Sequence, residues 1–220
     1  MTDPAFDKAD QTISQPRNAD RDDDTIDFGF RTIQRADKAR MVRGVFDSVA
    51  DRYDIMNDVM SGGIHRLWKA AMIDWMAPRP HQKLIDLAGG TGDISLRFLR
   101  GGGGEACITD INHAMLAAGR GRRDLQRLAH RLSWCVANAE SLPFDNQSAD
   151  FVTIAFGLRN VTDRQASLHE AYRILKPGGR FLCLEFSHVQ SRPLAKLYDS
   201  FSFNILPVMG QVIAGDADSY

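Results

Sequence analysis

Leu84-Ile85-Asp86-Leu87-Ala88-Gly89-Gly90-Thr91-Gly92-Asp93 decides the fold of this 220-residue chain. Lys83 to Ala88 is an apolar run of strand length. The glycines then turn the chain, and Asp93 to Leu99 follows with a helical spacing of apolar residues. Outward from there the alternation repeats. Glu105 to Ile111 reads as a second strand and His113 to about Leu128 as a helix. Leu132 to Ala137 gives a third strand and Phe151 to Phe156 a fourth. Arg164 to Leu175 is a helix ended by Pro177-Gly178-Gly179, and Arg180 to Phe186 is a fifth strand. Strands separated by helical stretches pair in parallel through right-handed crossovers, which predicts an α/β fold on a doubly wound sheet. The strands are nearly continuous apolar runs, as burial on both faces requires.

Upstream, Val42, Val45, Phe46, Val49 and Tyr53 recur at three and four residues. A second helical stretch runs from about His65 to Met76, stopped by Pro78 and Pro80. Residues 1–40 are expected to form a disordered, acid-rich polar tail and residues 41–220 the folded domain. The tail has neither the apolar stretch of a secretory signal nor the acid-poor makeup of a mitochondrial presequence, so a cytoplasmic location is expected. A formal net charge of -1 lacks the basic excess that nucleic-acid binding needs. No apolar run reaches the roughly 18 residues that span a bilayer. Cys107, Cys135 and Cys183 each sit in an apolar run without metal-ligand spacing. They are expected as buried free thiols of a reducing compartment, with no metal site.

Ligands bind doubly wound sheets at the carboxyl ends of the strands, so the glycine turn after the first of them is where a site belongs. A dinucleotide turn has the spacing G-x-G-x-x-G, and here Ser95 stands three residues after Gly92, so that spacing fails. The turn resembles motif I of class I methyltransferases, an acid followed by small residues and glycines. Asp110 ends the second strand, where a carboxylate either accepts hydrogen bonds from both hydroxyls of a ribose or caps the next helix. Asn138-Ala139-Glu140-Ser141-Leu142-Pro143-Phe144 follows the third strand, at a place where many enzymes of that class carry Asp-Ala-Glu to read adenine. An asparagine amide can serve in the same way, and a plain turn asparagine is the other reading.

Two further stretches narrow the resemblance. Tyr53-Asp54-Ile55-Met56-Asn57-Asp58-Val59-Met60-Ser61, continuing through His65 and Trp68, is similar to the N-terminal signature of the ubiquinone/menaquinone biosynthesis C-methyltransferases. Arg173-Ile174-Leu175-Lys176-Pro177-Gly178-Gly179, continuing to Glu185-Phe186-Ser187, resembles that family's second signature, and Phe156-Gly157-Leu158-Arg159-Asn160-Val161-Thr162-Asp163 matches as well. The likeness covers about residue 41 to the end. It implies a Rossmann-like class I methyltransferase sheet with an N-terminal helical lid. It also implies S-adenosylmethionine as cofactor and C-methylation of a polyprenylated quinol, either 2-polyprenyl-6-methoxy-1,4-benzoquinol or demethylmenaquinol. Carried over by position, the cofactor contacts are Gly89, Thr91, Asp110, Asn138, Ala139 and Ala155. The family often has serine where Ala155 stands, so that position can offer backbone contact only. Members also run on past the position of Tyr220 into two last strands of a seven-stranded sheet. Five strands are counted here. The final hairpin is therefore expected to be missing from this chain, the alternative being a fifth strand left as an exposed edge.

A ring carbon of a quinol becomes nucleophilic as a neighbouring hydroxyl loses its proton, so the site needs a group that accommodates that proton. Arg159 and Asn160 follow the fourth strand. Arg159 can stabilise a phenolate or orient a water, unless it is merely paired with Asp163 or Glu140. Tyr53 is the third catalytic candidate, beside Asp54 in the lid, and Glu185 at the end of the fifth strand is a weaker base. His65 is read as a packing or capping residue. Phe201, Phe203, Ile205, Leu206, Val208 and Met209 either line a prenyl channel or pack in the core. Arg120, Arg122, Arg123, Arg127 and Arg131 either touch anionic lipid at the inner face of the membrane or form a solvated helix face. Expected partners are the quinol, a peripheral membrane contact, and a second copy of the chain or a quinone-synthesis complex. A methyltransferase of another small molecule and a non-catalytic cofactor-binding scaffold are the rival readings.

Overall fold

The computed structural model describes residues 63–185 together with 25–28, 31–34 and positions 37, 58 and 61. Two short strands, β1 (Thr25–Phe28) and β2 (Arg31–Gln34), pair antiparallel within the stretch expected to be a disordered tail. Only two residues, Gly29 and Phe30, separate them in sequence. The helix from Met41, Tyr53, the cluster from Phe201 to Met209 and the segment after Glu185 lie outside the described residues.

The main sheet has five parallel strands in the order β5-β4-β3-β6-β7. They are β3 (Lys83–Leu87), β4 (Glu105–Asp110), β5 (Leu132–Val136), β6 (Ala149–Ala155) and β7 (Leu175–Leu184). From β3 the chain builds outward through β4 to β5, then returns across β3 to lay down β6 and β7 on the other side. The reversal falls between β3 and β6, and a crevice opens at their carboxyl ends.

Side chains alternate across the sheet, so each strand supplies two core layers. Leu84, Ala106 and Phe151 face one layer, with α1 (Ile64–Met76) and α2 (Asp93–Arg100) packed on them. Ile85, Leu87, Cys107, Val152 and Ile154 face the other, against Ala171 and Ile174 of α5 (Arg164–Ile174). Phe98 of α2 meets Phe151 edge to face, with ring centroids 5.9 Å apart. Each such buried side chain contributes about 1.5–3 kcal/mol before the cost of ordering it. Met72, Ile73 and Met76 of α1 belong to the first layer, so the described part of the N-terminal helical segment is packed into the core. Pro78 cannot continue the helix, and Ala77 closes it in a left-handed conformation with its N–H bonded to the Ile73 carbonyl. Arg180 of β7 donates to the carbonyls of Trp75 and Met76 and lies over the Phe151 ring, which ties the end of α1 to the sheet.

Two element boundaries differ from the sequence expectation by more than two residues. The helix expected over His113 to Leu128 is divided into α3 (His113–Gly121) and α4 (Arg123–Gln126), with Arg122 extended between them and a 3₁₀ turn at Ala129–Arg131. Glycine is a poor helix former, and two of them close α3. Gly119 is required by packing, because a Cβ there would lie 2.7 Å from the Trp134 ring. At the other boundary α5 stops at Ile174 and β7 begins at once, so Pro177-Gly178-Gly179 falls inside the strand. Leu175 pairs with Ala149 and Arg180 with Phe151, so Lys176 to Gly179 bulge out opposite the single residue Asp150. Lys176 spans the bulge through its ammonium to Asp150 at 3.0 Å. Burial also corrects the cysteines: Cys107 is buried, Cys135 half-buried and Cys183 exposed, since the last two lie on the flanking strands β5 and β7.

Candidate active site

The loops after β3, β4, β5 and β6 enclose a cleft of about 240 Å³. Gly89, Gly90 and Thr91 come from the first, Asp110 from the second, Asn138 and Ala139 from the third, and Ala155, Phe156 and Asn160 from the fourth. Seven of the nine candidate positions are thereby brought to one surface, although they span 72 residues of sequence from Gly89 to Asn160.

Asp110 fixes the geometry of the first two loops. Its Oδ2 accepts the Gly90 N–H at 3.0 Å and its Oδ1 accepts the Asn112 N–H at 2.8 Å. The helix-cap alternative is excluded, because α3 is capped by Asn112, whose Oδ1 accepts from Ala114 and Met115. Burial raises the Asp110 carboxyl above its ordinary value, and the backbone N–H bonds offset only part of that. A carboxylate has about four acceptor positions, so two such bonds leave capacity facing the cleft. Gly90 has φ of 54°, and a Cβ there would crowd Met115 at 3.0 Å and come within 3.9 Å of Asp110 Oδ2. A bare backbone beside that carboxylate fits a nucleoside sugar, as the implied methyl donor requires.

Ala88 and Phe156 each follow the last residue of a central strand, and both have left-handed backbones, with φ of 48° and 57°. Strain of this kind in residues other than glycine concentrates at functional sites. The two turns touch: a Cβ on Gly157 would lie 2.6 Å from that of Ala88. Below them Asp86, 1% exposed, accepts the Thr153 hydroxyl at 2.7 Å and the Ser95 hydroxyl at 3.0 Å. Its burial pushes the carboxyl up to about 6.

Asn138 is both a turn residue and a cleft residue. Its Oδ1 accepts the Glu140 N–H at 3.0 Å while the side chain lines the cleft. Glu140 in turn accepts the N–H groups of Thr162 and Asp163 at 2.9 and 3.0 Å, which binds the loop after β5 to the loop after β6.

Arg159 departs from expectation. It does not line the cleft, and its partner is neither Asp163 nor Glu140. Its Nη1 meets Glu185 Oε1 at 2.7 Å, and its backbone N–H faces the other oxygen at 3.3 Å. Glu140 is occupied by backbone N–H groups, and Asp163 caps α5 through Ala166. The two ends β6 and β7 therefore carry a charged pair next to Asn160, at the rim. Tyr53 lies outside the described residues.

Sequence reading passed over Lys69 and Asp93 and left Asp86 among the motif residues without a role. Lys69 of α1 enters the cleft, and its ammonium donates to Asp93 Oδ2 at 2.9 Å. The missed signal was its placement: Lys69 occupies the buried stripe of α1 with His65, Met72, Ile73 and Met76, where a charge is out of pattern. His65 packs as expected, its Nε2 2.7 Å from Asp58 Oδ1. Arg66 and His65 together hold the Asp58 carboxyl down at about 2. In the basic stretch, Arg120 stacks on Trp134, Arg122 pairs with Asp124 and Arg131 donates to the Gly104 carbonyl. Arg123 and Arg127 are exposed. Among the described residues no helix is long and apolar enough to cross a membrane, and no cluster of His, Cys, Asp and Glu is able to hold a metal ion.

A model of the ubiE/COQ5 methyltransferase family matches residues 32–220. A ubiquinone/menaquinone biosynthesis C-methyltransferase of Cereibacter sphaeroides is 56% identical over 203 residues, covering 92% of this chain and 81% of the relative. Its counterpart in a Ruegeria species is 55% identical over 202 residues, covering 91% and 81%. A SAM-dependent methyltransferase of Thermotoga maritima superposes with a TM-score of 0.52 over 74% of this chain and 70% of its own. At 20% identity that likeness shows the fold alone.

Proposed function

The chain belongs to the ubiE/COQ5 methyltransferase family, and on that basis we propose that it methylates a ring carbon of a polyprenylated quinol in ubiquinone or menaquinone biosynthesis. The acceptor is 2-polyprenyl-6-methoxy-1,4-benzoquinol, demethylmenaquinol or both. The observation that carries the reading is the Asp110 carboxylate, buttressed by the Gly90 and Asn112 N–H groups at the mouth of the glycine turn.

When bound, S-adenosylmethionine supplies an electrophilic methyl group on a sulfonium, so the protein has no need to activate it. Its own residues bind, orient and exclude water. Asp110 takes the ribose hydroxyls, the bare backbone of Gly89 and Gly90 and the side chain of Thr91 line the sugar's path, and Asn138 and Ala139 receive the adenine. Ala155 offers backbone contact only. On the acceptor side, placed at the rim beside Asn160, Arg159 stabilises the phenolate as the hydroxyl proton passes to a water there, with Glu185 holding the guanidinium and Asn160 orienting the ring. Tyr53 is a further acceptor-side candidate.

The test is transfer of label from methyl-labelled S-adenosylmethionine to the two reduced quinols, with the oxidised quinones and an unrelated phenol as controls. Incorporation into the ring of a reduced quinol is expected. Label on the phenol alone, or on none of them, would remove the assignment.

A further inference from the structure

We propose that Lys69 receives the α-carboxylate of the cofactor's amino-acid arm, an inference that rests on the methyl-donor reading above. Lys69 is 5% exposed, and a buried ammonium is costly unless it is paired. Its Nζ donates one hydrogen bond, to Asp93 Oδ2 at 2.9 Å, and stands 5.9 Å from the centre of the Phe156 ring. No further hydrogen bond to it is present among the described residues, although an ammonium carries three donors. Asp93 is itself shared, because Arg97 meets both of its oxygens at 3.2 Å. Lys69, Asp93 and Phe156 all line the cleft.

The charges of the cleft are lopsided. Asp86, Asp93, Asp110 and Glu140 supply carboxylates, and Lys69 is the single cation among its described lining residues. A zwitterionic arm brings one cation and one anion. Among the described lining residues its carboxylate has one cation to meet, Lys69. The strand order also agrees: β4 and β6 flank β3, so Asp110 stands on one side of the glycine turn and Phe156, with Lys69 above it, on the other. A donor whose ribose lies on Asp110 extends its arm across β3 toward that ammonium.

Equilibrium binding to the full chain separates this role from a purely structural one. The probes are S-adenosylhomocysteine, which has the carboxylate, and 5′-methylthioadenosine, which lacks the whole arm. Lys69→Met should weaken S-adenosylhomocysteine by about tenfold or more, the size of a lost charge-assisted hydrogen bond. It should leave methylthioadenosine within about twofold, and Lys69→Arg should recover part of the loss. Equal weakening of both probes, or no change in either, overturns the proposal. If Lys69→Met fails to fold, Lys69→Gln and Lys69→Arg are read by the same ratio. Wild-type protein that binds neither nucleoside would defeat the methyl-donor reading itself, a different outcome from a ratio that does not move.

Discussion

The two sides of the cleft are built differently. On the side proposed for the cofactor the parts are held by backbone and buried groups. The Gly89 N–H bonds to the Thr109 carbonyl at 2.9 Å, Gly90 to Asp110 at 3.0 Å and Gly92 to Gly89 at 2.8 Å, above an Asp86 sealed by two hydroxyls. On the side proposed for the acceptor a short 3₁₀ turn at the rim, Leu158–Asn160, carries Arg159, whose side chain is 43% exposed and is paired with Glu185. Groups that need not reorganise suit a ligand that is the same at every turnover. On the proposed mechanism the guanidinium meets a phenolate charge that develops only as the reaction proceeds.

That contrast breaks into measurable parts. The largest effect is expected at Arg159: Arg159→Ala should lower kcat by about 10²–10³-fold, as loss of a donor to a developing oxyanion does. Cofactor affinity should stay within about twofold, and an equal fall in cofactor binding would erase the distinction between the two sides.

Asp86 comes next. Its folded carboxyl value of about 6 lies above the ordinary 3.8, so the protonated form favours folding. That contribution is whole below about pH 4 and lost as the pH rises through 6, a swing on the order of 3 kcal/mol. Urea unfolding of wild type and Asp86→Asn at pH 4 and pH 7 should show the wild type losing ground to the variant by that order. A gap that does not change with pH would mean that burial does not hold the carboxyl up.

Asp110→Ala should weaken S-adenosylhomocysteine by about 1.5–3 kcal/mol in calorimetry and lower the melting temperature, since two loop N–H groups lose their acceptor. Unchanged affinity would take Asp110 out of the site. The smallest expected effect is at Gly90, where alanine would be forced to φ of 54° against Met115. About 1–2 kcal/mol of stability should be lost, with a parallel fall in nucleoside affinity but not in the Arg159-dependent step.

The frame was legible because it is periodic. Five apolar runs and their glycine turn gave the parallel sheet and the crevice, and the ends of β3, β4 and β5 fell within a residue of expectation. The acids at strand ends were visible for the same reason. The partner of Arg159 was not, since Glu185 lies 26 positions away and meets it only because β7 is laid beside β6. Cys183 reads as buried in its apolar run, yet exposure depends on which face of a flanking strand is covered. Lys69 left a signal, a charge inside an apolar helical stripe, but its meaning required knowing that α1 packs against the cleft.

From sequence alone came the order of elements along the chain, the glycine turn and the residue types at the strand tips, because periodicity and turn chemistry are local properties of the chain. Tertiary structure decided the pairings: Asp110 with Gly90, Arg159 with Glu185, Lys69 with Asp93. Each depends on a few ångströms between groups far apart in sequence, and charge and hydrogen-bond energies are set by that separation and by the exclusion of water around it.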